Sequence, residues 1–442
     1  MKVQSFSRPV LALLLVVALP AAAGTWSTQA VLATDAYDGT VALDSAGNMT
    51  SVWYQNTTPN GTAVNEIWAS TAAFAHPWSA PVNISGPIGV ASGNPSVRTS
   101  ASGNATAVYN NASGVGMFVD HPSGGNWETP ASTNGVSRFY VSNDRGDESL
   151  AWGGGGPRGI ANPVQVVQRP AGGTWSAATT IASGAYVALD GSTVAPDGTM
   201  AVSWESYSSV CGSRVCKTSN WLLHVSTLAP GAHSWVDSGA LLGPSASQQF
   251  GQLAADATGD LGVVSISSTN IVSVVRHSGV WGGPAVVAPL SAIGYYTGTG
   301  RDNRIFASDS AGHATLVGWN TGLTSLMAVD GNLVTNTWGA VTKISGQDQD
   351  PGYFDFAMSS SGAAIAFWSV QPVNGGNTSW RAATRPGAGM PWNAPSTAGS
   401  SFEGGGTPEG VAVNAAGQAA VVFHGYSSDF LTYILYTNTY KP

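Results

Sequence analysis

Apolar positions along the chain fall in short runs that come in pairs, each pair divided by a polar turn carrying one glycine. Val41–Trp53 (VALDSAGNMTSVW) shows the form: an extended run, a turn at Gly47, and a second extended run ending in an aromatic. The form returns at Val97–Tyr109, Tyr140–Trp152, Ser192–Trp204, Leu253–Ser265, Phe306–Gly318, Phe356–Trp368 and Val411–Phe423. Each copy predicts two strands joined by a tight hairpin. The pivots are Gly47, Gly103, Gly146, Gly198, Gly259, Gly312, Gly362 and Gly417, spaced about 53 residues apart on average. Glycine suits a turn that visits positive φ, where a Cβ is costly. Asp44, Ser100, Asn143, Asp256, Asp309 and Asn414 each stand three residues before a pivot, where a short polar side chain can hold turn amides.

A second hairpin follows each first one, and a tryptophan closes its turn: Trp78, Trp127, Trp175, Trp235, Trp281, Trp338 and Trp392. Each unit therefore holds four short strands, A to D. Four strands in about 53 residues is the size of a propeller blade. The two ends complete the pattern. Residues 24–33 (GTWSTQAVLA) read as a strand D, with Trp26 in place, that has no A, B or C before it. Leu431–Pro442 reads as a strand C with no D after it. Joined, they make one whole unit. The expectation is an all-β, eight-bladed β-propeller of four-stranded blades, closed where the N-terminal outer strand pairs with the C-terminal blade.

Blurred alternation in runs such as ATLV, AIAF and AAVV fits blades covered on both faces. Small residues at Ala42, Ala254, Ala307, Ala357 and Ala412 fit strands crowded at an axis. No segment keeps a helical period of useful length.

Composition narrows the setting. Charged residues make up 9% of the chain, against about 25% in an average soluble protein. The formal net charge is −8, with no basic patch, so nucleic acid is not an expected partner. Lys2 and Arg8, the apolar run Val10–Leu19, and Ala21 and Ala23 have the form of an export leader, residues 1–23. That run is too short to span a bilayer, which takes about 20 residues. The mature protein, 24–442, is expected to be a single secreted or periplasmic domain, monomeric and without a membrane span. Cys211 and Cys216 are then placed to form a small structural disulfide.

The turn-then-Trp motif, as in SGGNW at Trp127 and AGGTW at Trp175, resembles a degenerate Asp-box of the sialidase-like propeller repeats. In that family a Ser-x-Asp-x-Gly-x-x-Trp signature marks the turn between the third and fourth strands. Here the Trp and a frequent Gly remain, while the Ser and Asp are largely gone. The resemblance spans the mature chain and implies a propeller with carbohydrate-related relatives. It does not carry over a sialidase centre. No FRIP-type segment is found; the nearest string, Asn303–Phe306 (NRIF), departs at both flanks, and sialidase rings have six blades.

Long B–C and D–A connections, such as Tyr54–Glu66, Glu205–Trp221 and Pro289–Asn303, would share one face of the ring. Binding is expected there, because variable loops on a rigid scaffold carry function. Strand B ends in an aromatic at Trp53, Tyr109, Trp152, Trp204, Trp368 and Phe423, with Trp319 one place later in its repeat. Such a recurring position serves inter-blade packing, or sugar stacking where a ring is exposed. Charged residues gather near the start of strand A at Arg138, Asp190, Arg304 and Glu409, with Asp355 one place on. They read as a solvated channel rim or as polar contacts for a ligand on the axis. The candidate binding set is thus Arg138, Asp190, Arg304, Asp355, Glu409, Trp204, Trp319 and Trp368. No catalytic residue or cofactor is expected; Asp348 and Asp350 are the one place where a calcium ion could be held.

Catalytic signatures are sparse. HExxH, GxSxG and phosphate-loop motifs are missing, and His424 alone among the histidines ends a strand B. Three readings follow: a secreted module binding a glycan or cell-surface polymer, a protein–protein scaffold of the envelope or secretome, and a glycoside hydrolase or lyase. A carboxylate pair such as Asp190 and Glu409 would serve the last, but blades four apart place them across the channel from each other.

Overall fold

A computed structural model of the chain describes residues 24–57, 64–86, 95–133, 135–136, 138–153, 163–184, 186–211, 216–294, 304–346, 351–370, 377–403, 406–426 and 432–442. The leader expected at 1–23 lies outside them, as does the calcium position at Asp348 and Asp350.

The described strands form eight antiparallel sheets, each ordered A-B-C-D. Blade 1 is Ala36–Leu43, Asn48–Thr57, Val64–Ala73 and Val82–Asn83. Blades 2 and 3 run over 96–132 and 139–182; blades 5, 6 and 7 run over 252–289, 304–343 and 351–403. Blade 4 is Val187–Val194, Met200–Cys211 and Cys216–Leu228, with strand D split into Val236–Asp237 and Leu242–Ser245. Blade 8 takes Pro408–Val413, Ala419–Tyr426 and Tyr433–Lys441 from the C-terminus and its strand D, Thr25–Trp26 and Ala30–Thr34, from the N-terminus. Strand A of each blade abuts strand A of the next, and blade 8 abuts blade 1. The ring is closed, with eight blades and the two ends sharing the last, as expected.

The clasp is held by register and by side chains. Thr25 and Trp26 pair with Lys441 and Tyr440, while Ala30, Val31 and Ala33 pair with Thr437, Tyr436 and Leu435. Leu32 and Ala33 are buried. The Trp26 indole donates to Ser396 Oγ of blade 7 at 2.9 Å, and Gln29 accepts from the Ser400 amide at 3.0 Å.

The turn chemistry operates as read from the sequence. All eight pivots have φ between +75° and +96°. Asp44, Asn143, Asp256, Asp309 and Asn414 each accept, through Oδ1, the amide four residues on, at 2.7–3.1 Å. The same turns also bridge blades. Asn143 Nδ2 donates to Ala195 O at 2.8 Å, Ala257 N to Ser310 O at 3.1 Å, and Asn414 Nδ2 to Asp44 O at 3.2 Å. The turn face is therefore tied from blade to blade by the residues that shape its hairpins.

Period-2 geometry explains why alternation is blurred. Val52 packs with Val97, Ala105 and Ala107 of blade 2, whereas its neighbour Trp53 packs with Ala420 and Val422 of blade 8. Phe367 likewise turns to blade 8, and Trp368 to blade 6. Successive side chains enter different inter-blade cores, so both faces of strand B are apolar.

Two arginines cross these cores. Arg169 on strand C of blade 3 donates to Asp120 at 2.6 and 2.9 Å and to Thr106 at 2.8 Å, both in blade 2, and pairs with the buried Glu148. Its guanidinium lies 4.9 Å from the Phe118 ring and 5.3 Å from that of Trp175. Four blades on, Arg385 repeats the arrangement with Asp330 at 2.6 Å, Thr315 at 2.8 Å and Trp392 at 5.1 Å. The sequence marks both as Arg-Pro ahead of a C–D turn and its Trp.

Two of the connections expected to be irregular are β-structure. In blade 1, Tyr54–Thr57 and Val64–Glu66 continue strands B and C, in register as far as Thr57 opposite Val64. In blade 4, Ser206–Cys211 pairs with Cys216–Leu222 as an arm that extends the hairpin. Most of the arm is polar and only partly buried, the stacked pair Tyr207 and Trp221 apart, so its sequence lacks a strand's alternation and reads as loop. Cys211 and Cys216 are register partners at its end; the disulfide expected between them rests on side chains outside the described set.

Candidate functional site

Blades 8 and 1, the pair joined by the clasp, build the most distinctive feature of the loop face. In blade 1, Tyr37 on strand A is the cross-strand partner of Tyr54 on strand B, with ring centroids 4.7 Å apart. In blade 8, Tyr426 on strand B is the partner of Tyr433 on strand C, with rings 4.6 Å apart and hydroxyls 2.9 Å apart. Tyr37 and Tyr433 meet across the junction at 6.0 Å. The result is a continuous row of four tyrosines over a junction whose residues lie at opposite ends of the chain. Tyr37, Tyr426 and Tyr433 line a cavity of about 530 Å³ that also takes in Asp35, Asp38, Asn56 and His424.

The backbone here is held unusually. Asp35 and Asp38 both sit at φ +53°, on either side of Tyr37. The strand A register slips between Tyr37 and Thr40, a bulge that takes in Asp38, while Asp35 stands just before the strand; both aspartates line the cavity. The Asp35 amide donates to Tyr433 O at 2.7 Å, carrying the ladder of blade 8's strand D up to the start of blade 1. Non-glycine residues in this region cost energy and recur where a surface is shaped for a ligand.

Behind the cavity, His424 Nδ1 is hydrogen-bonded to Glu409, which also accepts from Thr407 Oγ1 at 2.8 Å. Glu409 is almost wholly buried and orients the imidazole, whose ring also packs edge-on against Tyr433 at 5.6 Å. Burial and the bond to Tyr433 raise the Tyr426 pKa, the bond being the larger cause. Tyr54 is raised further, chiefly by burial, then by Tyr37 and Asp38. The Tyr37, Tyr54 and Tyr426 phenols are hydrogen-bonding hydroxyls at any physiological pH.

The candidates from sequence divide. Glu409 belongs to this site, as the support of His424. Arg138 is exposed on blade 3, where its guanidinium donates to Gly153 O at 3.1 Å. Asp355 accepts from the Phe356 amide at 2.8 Å on blade 7. Arg304 opens strand A of blade 6 opposite Gly318; its side chain is outside the described set. With Asp190 on blade 4, these five charges stand on five blades. Trp204, Trp319 and Trp368 are 7%, 3% and 0% exposed. Trp204 stacks on His224 at 4.1 Å and donates to Ser226; Trp319 meets Phe354 edge-on at 5.7 Å. Of the two roles open to the strand-B aromatics, these three take packing, since each ring is enclosed by neighbouring strands. Among the described residues, no three His, Cys, Asp or Glu side chains are grouped as a metal site.

Asp190 has a different partner. It faces Glu205, which is fully buried and accepts the Gln249 and Phe250 amides at 2.6 and 2.7 Å. Asp190 itself accepts from the Gly251 amide at 3.1 Å and from Gln248 at 3.2 Å. Burial, and next the adjacent Asp190 carboxylate, push the Glu205 pKa up to about 10. Glu205 therefore holds a proton in the folded state that the unfolded chain releases above the ordinary glutamate range. Stability must fall as pH rises through that window toward 10. Glu205→Gln, neutral throughout, is expected to remove most of the decline in melting temperature between pH 6 and 9. An unchanged slope on thermal scans would refute the assignment.

No family model matches the sequence, and no curated protein matches it. Among solved structures, the chain is similar to the BP39L lectin from Burkholderia pseudomallei, at 12% identity over 83% of this chain and 100% of that one, with a TM-score of 0.52. Looser likenesses are to the NanB sialidase from Streptococcus pneumoniae (11% identity, 94% and 70% of the two chains, TM-score 0.36) and to the polysaccharide lyase Uly1 (10%, 75% and 87%, 0.46). At these identities what the lectin likeness shows is the β-propeller fold.

Proposed function

We propose that the protein is an exported carbohydrate-binding propeller that takes a glycan or cell-surface polymer in the cavity at the clasp. The observation that carries this reading is the row of paired tyrosines opening on a cavity lined by carboxylates, an amide and an imidazole. Aromatic faces cover the C–H faces of a sugar with little loss of side-chain entropy, and the polar groups meet its hydroxyls. The lectin fold likeness supports the reading, as does the worn Asp-box pattern we read in the C–D turns. Residues 1–23 would supply export.

Titration calorimetry of the mature protein against a panel of neutral, amino and acidic oligosaccharides tests it. Tyr433 is 38% exposed, so it is accessible to a ligand, and truncating it leaves the inter-blade cores intact. Tyr433→Ala is expected to weaken binding by about 30-fold, the loss of one aromatic anchor worth about 2 kcal/mol. Failure of wild type to bind any member of the panel would defeat the proposal.

One observation favours a second reading, that of a hydrolase or lyase: the Glu409–His424 pair has the geometry of an oriented general base. Product released from a bound glycan by wild type but not by His424→Ala, followed by mass spectrometry, would favour it. An intact glycan in both samples would exclude it.

A further inference from the structure

We infer that the protein takes a long glycan chain across its loop face, held at the clasp and again by a second stacking platform on blade 4; this inference rests on the carbohydrate reading above. The platform is a row of three rings. Tyr186, just before strand A, lies 5.6 Å from Tyr207 on the extension of strand B. Tyr207 in turn stacks on Trp221 of strand C at 4.0 Å, with 20° between the ring planes. The Tyr207 amide donates to Tyr186 O at 3.1 Å, which keeps the first two residues in step.

The blade 4 row is built as the clasp row is. At the clasp, Tyr37 meets Tyr54 from strand A to strand B, and Tyr426 meets Tyr433 from strand B to strand C. Blade 4 makes both steps within one sheet. Each row also lies at a register slip that holds a non-glycine residue at positive φ. Asp38, at +53°, falls in the slip beside Tyr37. Asn220, at +55°, falls beside Trp221, where the pairing of strands B and C slips between Ser206 and Ser208.

Packing between blades does not account for these rings. The apolar cores on the two sides of blade 4 take Leu189, Val202 and Trp204, or Leu223 and Val225, and none of the three. Tyr186 and Tyr207 are half-buried, and Ser208 and Asn220 beside the row are exposed. The buried Trp221 indole N–H has no hydrogen-bond partner among the described residues, a donor at the foot of the row that the protein does not use. Rings gathered on a polar arm, apart from any core, suit the C–H faces of a sugar.

Position supplies the length of the ligand. In the closed ring of eight, blade 4 stands half a turn from blade 8 and three blades from blade 1. A short oligosaccharide in the clasp cavity occupies one row; a chain laid across the face occupies both. Once the clasp holds the chain, the second contact forms at an effective concentration in the millimolar range, so even a weak platform tightens binding.

The test compares a tetramer with a soluble polymer of each of three sugars, xylose, glucosamine and galacturonate, by calorimetry counted per sugar unit. For a sugar that binds, the polymer is expected to bind at least about tenfold more tightly than the tetramer. Tyr207→Ala should bring the polymer close to the tetramer and leave the tetramer unchanged, whereas Tyr433→Ala should weaken both. Tyr186→Ala, ahead of the paired strands, should reproduce that loss without touching the hairpin, and thermal scans check that both variants fold. Oxidative footprinting should show Tyr186 and Tyr207 protected by the polymer and not by the tetramer. A polymer no tighter than its tetramer, or unmoved by both blade 4 variants, would overturn the inference and leave the carbohydrate reading standing. So would a tetramer that protects both rows equally, since the rows would then be independent sites. No binding of any tetramer or polymer, nor of the wider sugar panel, would overturn both.

Discussion

Removal of residues 24–34 is expected to lower the melting temperature by about 10 °C or more, or to convert the protein into aggregates. These residues form the outer strand of blade 8 in two pieces, and their loss leaves Tyr433–Lys441 with an open edge. Exposed edge strands of this length pair with other chains. The deletion also uncovers core around Leu435 and Val422, where Leu32 and Ala33 are buried, and cuts the Trp26 and Gln29 bonds that reach blade 7. Thermal scans with size-exclusion chromatography read both outcomes. A synthetic peptide of residues 24–34 added in trans should recover part of the lost stability. A truncated protein as stable and monodisperse as the parent would show that the ring does not depend on its clasp.

Arg169→Ala should cost about 3–5 kcal/mol in denaturant unfolding, the penalty for breaking a buried ion pair from one side. Glu148 is only 4% exposed at its side chain and would be left with Tyr140 as its remaining partner, 2.7 Å away; Asp120 would lose a two-pronged contact. Lost packing against Phe118 and Trp175 adds to the loss. An effect below about 1 kcal/mol would mean that the charges re-solvate freely and that the junction between blades 2 and 3 does not need its arginine.

Much of this fold was legible because its information is local. A glycine with positive φ, and an Asx side chain three residues before it, are requirements of the turn itself. They reappear wherever the turn does, so the eight pivots could be read from the sequence and are present in the structure. The split blade was legible for the same reason: a strand D without its A to C, and a strand C without its D, are local observations with one joint explanation.

The site was not legible in that way. Tyr37 and Tyr433 stand near opposite ends of the chain and meet only when the ring closes. Nothing in the period marks them: strand A bulges in blades 4, 7 and 8 as well as in blade 1, and the tyrosines fall next to that bulge and at the extended ends of two hairpins. The aromatic that does recur, at the end of strand B, recurs because it fills a junction between blades, as the burial of Trp204, Trp319 and Trp368 shows. Which junction a residue enters depends on which way it turns, and a one-residue step reverses it. Trp53 and Tyr54 are both buried, but Trp53 packs toward blade 8 while Tyr54 meets Tyr37. Glu409 and His424 could be named from sequence, one as a rim charge and the other as a histidine ending strand B. Their pairing needed the register that sets strand A of blade 8 beside strand B.

The central claim is that sugars bind among the clasp tyrosines. Oxidative footprinting of the mature protein, with and without a saturating oligosaccharide that the calorimetric panel shows to bind, tests it most directly, because each tyrosine is read separately by mass spectrometry. The prediction is protection of Tyr37, Tyr426 and Tyr433, with no change at Tyr353, which is 40% exposed on blade 7. Protection confined to blade 4, at Tyr186 and Tyr207, or equal at Tyr353 and the clasp tyrosines, would contradict it.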